Sequence, residues 1–231
     1  MKYPINLSAF DRAVRALLAL SFLAAAVWLF DRTIAQVLSA LVGVGALLEA
    51  ALGRCPLAHR LGVSSARDRM RPEQIRLVTL AGIQIVLAYE WLVGGIGKLK
   101  EGAFVAGMPE TLQRFAINNP STWYRNFLEG WAVENATLLG NLVVWGEILA
   151  GTGLVVSAVV YIYAKRASWK TAAIVLAVVS LLVGACMNKN FYFAAGWLSP
   201  STHGLNVIMF WVELLLAYNW IMEWRSARQK S

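Results

Sequence analysis

The sequence predicts an all-α polytopic membrane protein. Six transmembrane helices form a two-helix hairpin and a four-helix bundle, with an amphipathic helix in an external loop. Three observations lead there. Of 231 residues, 58% are hydrophobic and 15% charged, with a mean hydropathy of +0.57, whereas a soluble domain carries roughly 25% charged residues. The apolar residues fall in runs near the ~20 needed to cross a bilayer as helix, not in the short alternating segments of a β-barrel. The basic residues, finally, gather between alternate runs.

The runs place spans at about Ala13–Phe30, Ile34–Leu52, Ile75–Ile96, Leu138–Tyr163, Thr171–Met187 and Leu205–Trp224. The first is too long for the apolar core of a signal peptide and the second follows at once, so it reads as a retained span. The fourth is long enough to tilt. With six spans, fifteen of the 21 Lys and Arg share one side: the N-terminal segment, the 53–73 connector with Arg76 at its edge, the 164–170 connector and the C-terminal tail. Arg32, Lys98, Lys100, Arg114, Arg125 and Lys189 take the other. The positive-inside rule then puts both termini in the cytoplasm of a bacterial-type inner membrane. The net charge of +8 follows from this topology. No soluble basic domain is present to hold nucleic acid.

Two domains follow. Residues 1–73 are the hairpin with its basic cytoplasmic connector, and residues 74–231 are the four-helix unit. The latter has a long external connection, from about Gly97 to Thr137, which at that length is expected to carry structure. Pro109 and Glu110 suit a first helical turn, with Met108, Leu112 and Phe115 at helical spacing. After Pro120, Trp123, Phe127 and Trp131 recur every four residues beside Tyr124 and Leu128. This aromatic helix either caps the bundle or roofs a cavity open to lipid.

Chemistry is sought first at Glu49, Glu90, Glu147 and Glu213, each in a different span. A carboxylate at bilayer depth costs at least ~2.5 kcal/mol, so it faces a bundle interior and often has a function. Glu49 lies near the cytoplasmic edge, within reach of a pairing with Arg54. Counted from the span ends, Glu90 and Glu147 reach similar depths on adjacent antiparallel helices. They either share a proton or hydrogen-bond to neighbouring Trp, Tyr or Asn and hold the helices in register. Lys98 stands eight residues after Glu90, roughly 12 Å along a helix, so those two do not pair within one helix, and Lys98 is free to snorkel outward.

Several chemistries are excluded. The only histidines, His59 and His203, lie in connections on opposite sides, so no intramembrane haem ligand exists. Neither is accompanied by a zinc or copper ligand set. The bilayer separates Cys55 from Cys186, which rules out a bond between them. Cys55, beside Arg54, His59 and Arg60, is either a thiol of lowered pKa and raised reactivity or a cysteine that simply packs at a helix end.

Two segments resemble known families. Gly53-Arg54-Cys55-Pro56-Leu57-Ala58-His59-Arg60-Leu61-Gly62 is similar to the small two-helix membrane domain fused to rhodanese-type sulfurtransferases. Tyr89-Glu90-Trp91-Leu92-Val93-Gly94-Gly95-Ile96-Gly97-Lys98 and Trp145-Gly146-Glu147-Ile148-Leu149-Ala150-Gly151 resemble helix signatures of the DoxX superfamily. The loop Asn118-Asn119-Pro120-Ser121-Thr122-Trp123-Tyr124 is similar to its DoxD branch, the small subunit of thiosulfate:quinone oxidoreductase. The chain departs from that branch in its N-terminal hairpin, and in Asn206, where related sequences often have an acid. The resemblance implies a quinone-linked subunit acting on a sulfur compound, with further subunits as partners. Glu90 and Glu147 are then the catalytic candidates, and Lys98, Trp123, Tyr124 and Trp145 the residues that contact quinone. The alternative is a non-catalytic scaffold or assembly subunit, since the superfamily holds both kinds and a fold confers no reaction by itself.

Overall fold

The computed structural model describes residues 5–28, 33–60, 64–66 and 72–229. Phe30, Arg32, Leu61 and Gly62, which entered the sequence argument, lie outside them, as do Arg67, Arg69 and Arg71 of the basic connector. Among the described residues there is no strand. The elements are α1 (Ala9–Trp28), α2 (Thr33–Leu52), α3 (Pro56–Arg60), α4 (Pro72–Glu101), α5 (Met108–Ala116), α6 (Thr122–Phe127), α7 (Ala136–Tyr163), α8 (Ala167–Ala195) and α9 (Pro200–Gln229). A π-helical turn, Leu128–Ala132, follows α6, and a 3₁₀ turn, Gly196–Leu198, follows α8.

Among the described residues, five helices are long and apolar enough to cross a membrane: α2, α4 from Thr79, α7, α8 and α9. The protein is thus a multi-pass membrane protein. The sequence pointed to six crossings, and α1 is the difference. It is 20 residues long, but Asp11, Arg12 and Arg15 occupy its first two turns and shorten the apolar run.

The chain divides into two compact units, Met1–Gly82 and Ile83–Ser231, and the boundary falls inside α4. In the first unit α1 and α2 run antiparallel, close enough that a β-carbon on Gly43 would lie 3.0 Å from the Ala19 carbonyl oxygen. The Arg12 guanidinium closes the C-terminus of α2, donating to the carbonyls of Ala50 at 2.7 Å and Ala51 at 3.0 Å. These are orphan acceptors of a helix end, and Gly53, at φ 65°, then turns the chain. Glu49 pairs with Arg15 at 2.5 Å rather than with Arg54, because Arg15 also binds Asp11, one turn away on α1. Asn6 is buried and exchanges two 2.9 Å hydrogen bonds with the backbone of Cys55.

In the second unit α7, α8 and α9 pack in sequence, with α4 against α7. The contact of α4 with α7 needs glycine. A β-carbon on Gly95 would lie 2.8 Å from the Ile148 side chain, and one on Gly151 would lie 2.9 Å from the Ala88 carbonyl oxygen. Helices this close gain contact along their backbones, the main attraction left where lipid is as apolar as the side chains.

The α4–α7 connection folds over one end of this bundle. Met108, Leu112 and Ala116 of α5, with Tyr124, Leu128 and Ala132, form a buried cluster with Ala136 and Ala194. Asn119, 3% exposed, holds it down by donating to the carbonyls of Phe115 and Phe193 at 3.1 and 3.0 Å. The expected aromatic helix is present. Tyr124 and Leu128 point inward, while Trp123 and Trp131 are 62% and 50% exposed.

Candidate functional site

Three polar layers cross the second unit, and their spacing is a property of the sequence. Gln84, Trp91 and Lys98 stand seven residues apart on α4, as do Asn206, Glu213 and Trp220 on α9. Seven residues are nearly two turns and about 10.5 Å of rise, so each set lies on one helix face. The first layer is neutral. Gln84, fully buried, donates to the Leu154 carbonyl and the Ser157 hydroxyl at 2.7 and 2.8 Å, and accepts from the Trp220 indole at 2.7 Å.

The middle layer is built on Glu213, also fully buried. Its two oxygens accept from the Trp91 indole at 2.8 Å and from the Asn188 amide at 2.9 Å. Gly184 leaves room for the carboxylate, since a β-carbon there would strike it. Glu213 therefore links α9 to α4 and α8 through neutral donors, the kind of contact weighed from the sequence for Glu90 and Glu147.

The third layer is an ion pair. Lys98 reaches Glu147 and donates to both of its oxygens, at 2.8 and 2.7 Å. Glu147 has 4% of its side chain exposed and Lys98 25%. A fork of this kind, short and charge-assisted, is the stronger sort of hydrogen bond. Gly94 makes it fit, since a β-carbon there would lie 3.2 Å from the carboxylate.

Beside this pair lies a cavity of about 690 Å³ beneath the α4–α7 connection. Phe104, Leu112, Phe127, Leu128, Leu139 and Phe191 supply much of its apolar wall, and Lys98, Tyr124, Asn190 and Asn206 its polar points. Leu142, Cys186 and Leu205 also line it and are exposed on helix faces, so the cavity has a side towards lipid. Tyr124 directs its hydroxyl at the Asn190 backbone carbonyl, 3.2 Å away.

The residues singled out in the sequence thus separate. Lys98 and Tyr124 line the cavity, and Glu147 lies behind Lys98. Trp123 and Trp145, 62% and 50% exposed, are not among the cavity walls. Glu90 does not join Glu147. It is exposed and makes no hydrogen bond or ion pair among the described residues, while Glu147 packs at the level of Gly94 and Gly95, about one turn nearer the cavity. The depth estimate failed because it counted from span ends, whereas α4 runs on as helix through Lys98 to Glu101. Lys98 consequently has a partner across the helix pair instead of snorkelling free.

Cys55 also departs from the reactive reading. It is 3% exposed, and burial pushes its thiol above the ordinary 9.0, with nearby Glu49 adding to the rise. The Ala58 N–H at 3.3 Å and the Arg15 charge oppose this without reversing it. Sequence reasoning passed over Gln84 and Asn188. Their signal was available, as polar residues in otherwise apolar runs, the first in the seven-residue series.

Residues 1–69 match the family described as inner membrane protein YgaP-like, transmembrane domain. This is the hairpin region, under a third of the chain. No DoxX or DoxD family is among the matches. No curated protein and no solved structure matches the chain.

Proposed function

We propose that this chain is the membrane subunit of a quinone-linked oxidoreductase acting on a sulfur compound such as thiosulfate. The observation that carries the reading is the cavity. Its size falls within the ~300–1,000 Å³ range of small-molecule sites, and a mostly apolar wall with few convergent polar groups is their usual make-up. Its side towards lipid suits a ligand that arrives through the bilayer. Lys98, Tyr124 and Asn190 are the residues that would hold a quinone ring by its oxygens, with Phe104 and Phe191 against its faces. When bound, a quinone supplies two-electron, two-proton chemistry. The chain's own contribution is to fix Lys98 with Glu147, so that a positive N–H faces the oxygen and a carboxylate stands behind it to hold a proton. The sulfur substrate rests on the two sequence resemblances.

In this reading α1 is the sixth span, with its charged first turns at the cytoplasmic rim beside the end of α2. Both termini are cytoplasmic, the cavity lies at the external end, and the membrane is the inner membrane named for the hairpin family. A second reading has its own observation. Glu90, exposed within the α4 span, cannot face lipid cheaply, which favours an accessory or scaffold subunit whose partner helix covers that face.

The test is the quinone content of protein purified in mild detergent. Wild type should retain quinone, and Lys98→Met with Glu147→Gln should lose most of it while keeping its helicity. A folded wild type that neither retains nor takes up quinone would remove the oxidoreductase reading and leave the scaffold.

A further inference from the structure

The end of the second unit opposite the cavity is strongly basic. There α7 stops, a short connector turns the chain into α8, and α9 comes to its close. Lys165, Arg166, Lys170, Arg225 and Arg228 are all exposed at these ends. Among the described residues Glu223 is the one acid side chain there, and its carboxylate accepts from the Tyr161 hydroxyl at 3.0 Å. Lys165, Arg166, Lys170 and Arg225 make no ion pair among the described residues. The positive-inside rule accounts for cations sharing a side, but not for how they are held. The Lys170 ammonium lies 5.6 Å from the centre of the Tyr161 ring, and Tyr161 meets Trp220 edge to face with ring centres 4.9 Å apart. One turn further along α9, the Arg228 guanidinium lies 4.1 Å from the centre of the Trp224 ring. A ring face attracts a cation through its quadrupole without neutralising it. Tyr and Trp settle at the headgroup level of a bilayer, so cations resting on their faces are held at the depth of lipid phosphates.

We propose that the converging ends of α7, α8 and α9 bind the headgroup phosphate of an anionic phospholipid, with Lys170 and Arg228 as the anchoring cations. Five cations against one carboxylate favour a headgroup with net negative charge, since a zwitterionic one brings its own cation to the same place. Val159 and Ile221, near the same ends, expose apolar surface for the acyl chains, which a soluble phosphate or an acidic protein segment would leave uncovered. The site stands apart from the cavity and holds whether or not quinone binds there.

Native mass spectrometry of the full chain in a neutral detergent counts bound lipid directly. Dioleoyl phosphatidylglycerol should bind about tenfold tighter than dioleoyl phosphatidylcholine, which has the same chains and no net charge. A surface cation is worth about fivefold in affinity for anionic lipid, so K170Q/R228Q should weaken phosphatidylglycerol about 25-fold, while K170R/R228K keeps it. E223Q removes the one competing negative charge, retains an acceptor for Tyr161, and should tighten binding. K189Q, at the other end of α8, should leave it unchanged. An unchanged melting temperature without added lipid shows that each variant folds, and if the double variant does not, E223Q and K189Q carry the test. Equal binding of the two lipids, wild-type affinity in K170Q/R228Q, no tightening in E223Q, or a loss in K189Q as large as in the double variant overturns the site. Displacement of phosphatidylglycerol by glycerol 3-phosphate or by hexaglutamate at comparable concentration overturns the lipid as its occupant, in favour of a free phosphate or an acidic protein segment.

Discussion

Lys98 and Glu147 show what a single ion pair does in a largely apolar bundle. Breaking a buried pair from one side strands the other charge, which typically costs about 3–5 kcal/mol. Lys98→Met should lower thermal stability by about that much, and adding Glu147→Leu should recover most of it, because no charge then remains to be buried. A double variant as unstable as the single one in a detergent melting series would show that packing, not charge, dominates there. Glu147→Gln keeps the carbonyl acceptor and loses the charge, so it should lower turnover with a partner subunit more than it lowers stability. Cys55 makes a pH prediction. Its raised pKa keeps the thiol protonated at neutral pH, so alkylation by iodoacetamide should be slower at Cys55 than at exposed Cys186. The rate at Cys55 should climb only as pH rises past the ordinary value of 9.0. Rapid reaction at Cys55 near pH 7 would restore the reactive reading. These contacts were only half legible. Polar residues inside apolar runs announced that Glu147 and Glu213 had work to do, but which residue each would meet depended on rotation and depth, which a count from estimated span ends cannot supply.

Helices themselves were the most legible feature. Apolar run length placed α2, α4, α7, α8 and α9, and Pro109 with Met108 and Leu112 placed α5. The aromatic helix was legible in its existence but not in its face, because Trp is at home at a membrane interface and spacing alone does not say which stripe is buried. Glycine offers the test at this scale. Gly151→Val puts side-chain atoms against Leu92 and the Ala88 backbone, and should cost about 1–3 kcal/mol by overpacking. Gly82→Ala on α4, where no atom lies within 4 Å, should be neutral or slightly stabilising. Equal melting temperatures for Gly151→Val and wild type would mean that α4 and α7 do not pack as closely as described.

For the molecule as a whole, the basic connectors predict a single orientation. Cysteine probes at residue 121, in the α5–α6 connection, should react with a membrane-impermeant maleimide on intact cells, and probes at 64–66 should not. Labelling of the latter from outside would reverse the topology and place the cavity at the cytoplasmic end. The family match to residues 1–69 and the hairpin seen in the first unit agree on what that part is. The proposed function was the least legible level, since it rests on a cavity whose walls come from every helix from α4 to α9, between Lys98 and Asn206.

The seven-residue recurrence on α4 has a phase as well as a spacing. One residue inserted between Trp91 and Lys98 would advance everything after it by about 100° around the axis while moving it only 1.5 Å along. Gln84 and Trp91 would keep their partners, but Lys98 would swing off its stripe and Glu147 would lose its cation. Lengthening this helix by one residue should thus resemble removing the lysine itself. The helix acts as an indexed shaft, tolerant of what its outer face carries and intolerant of a change in length.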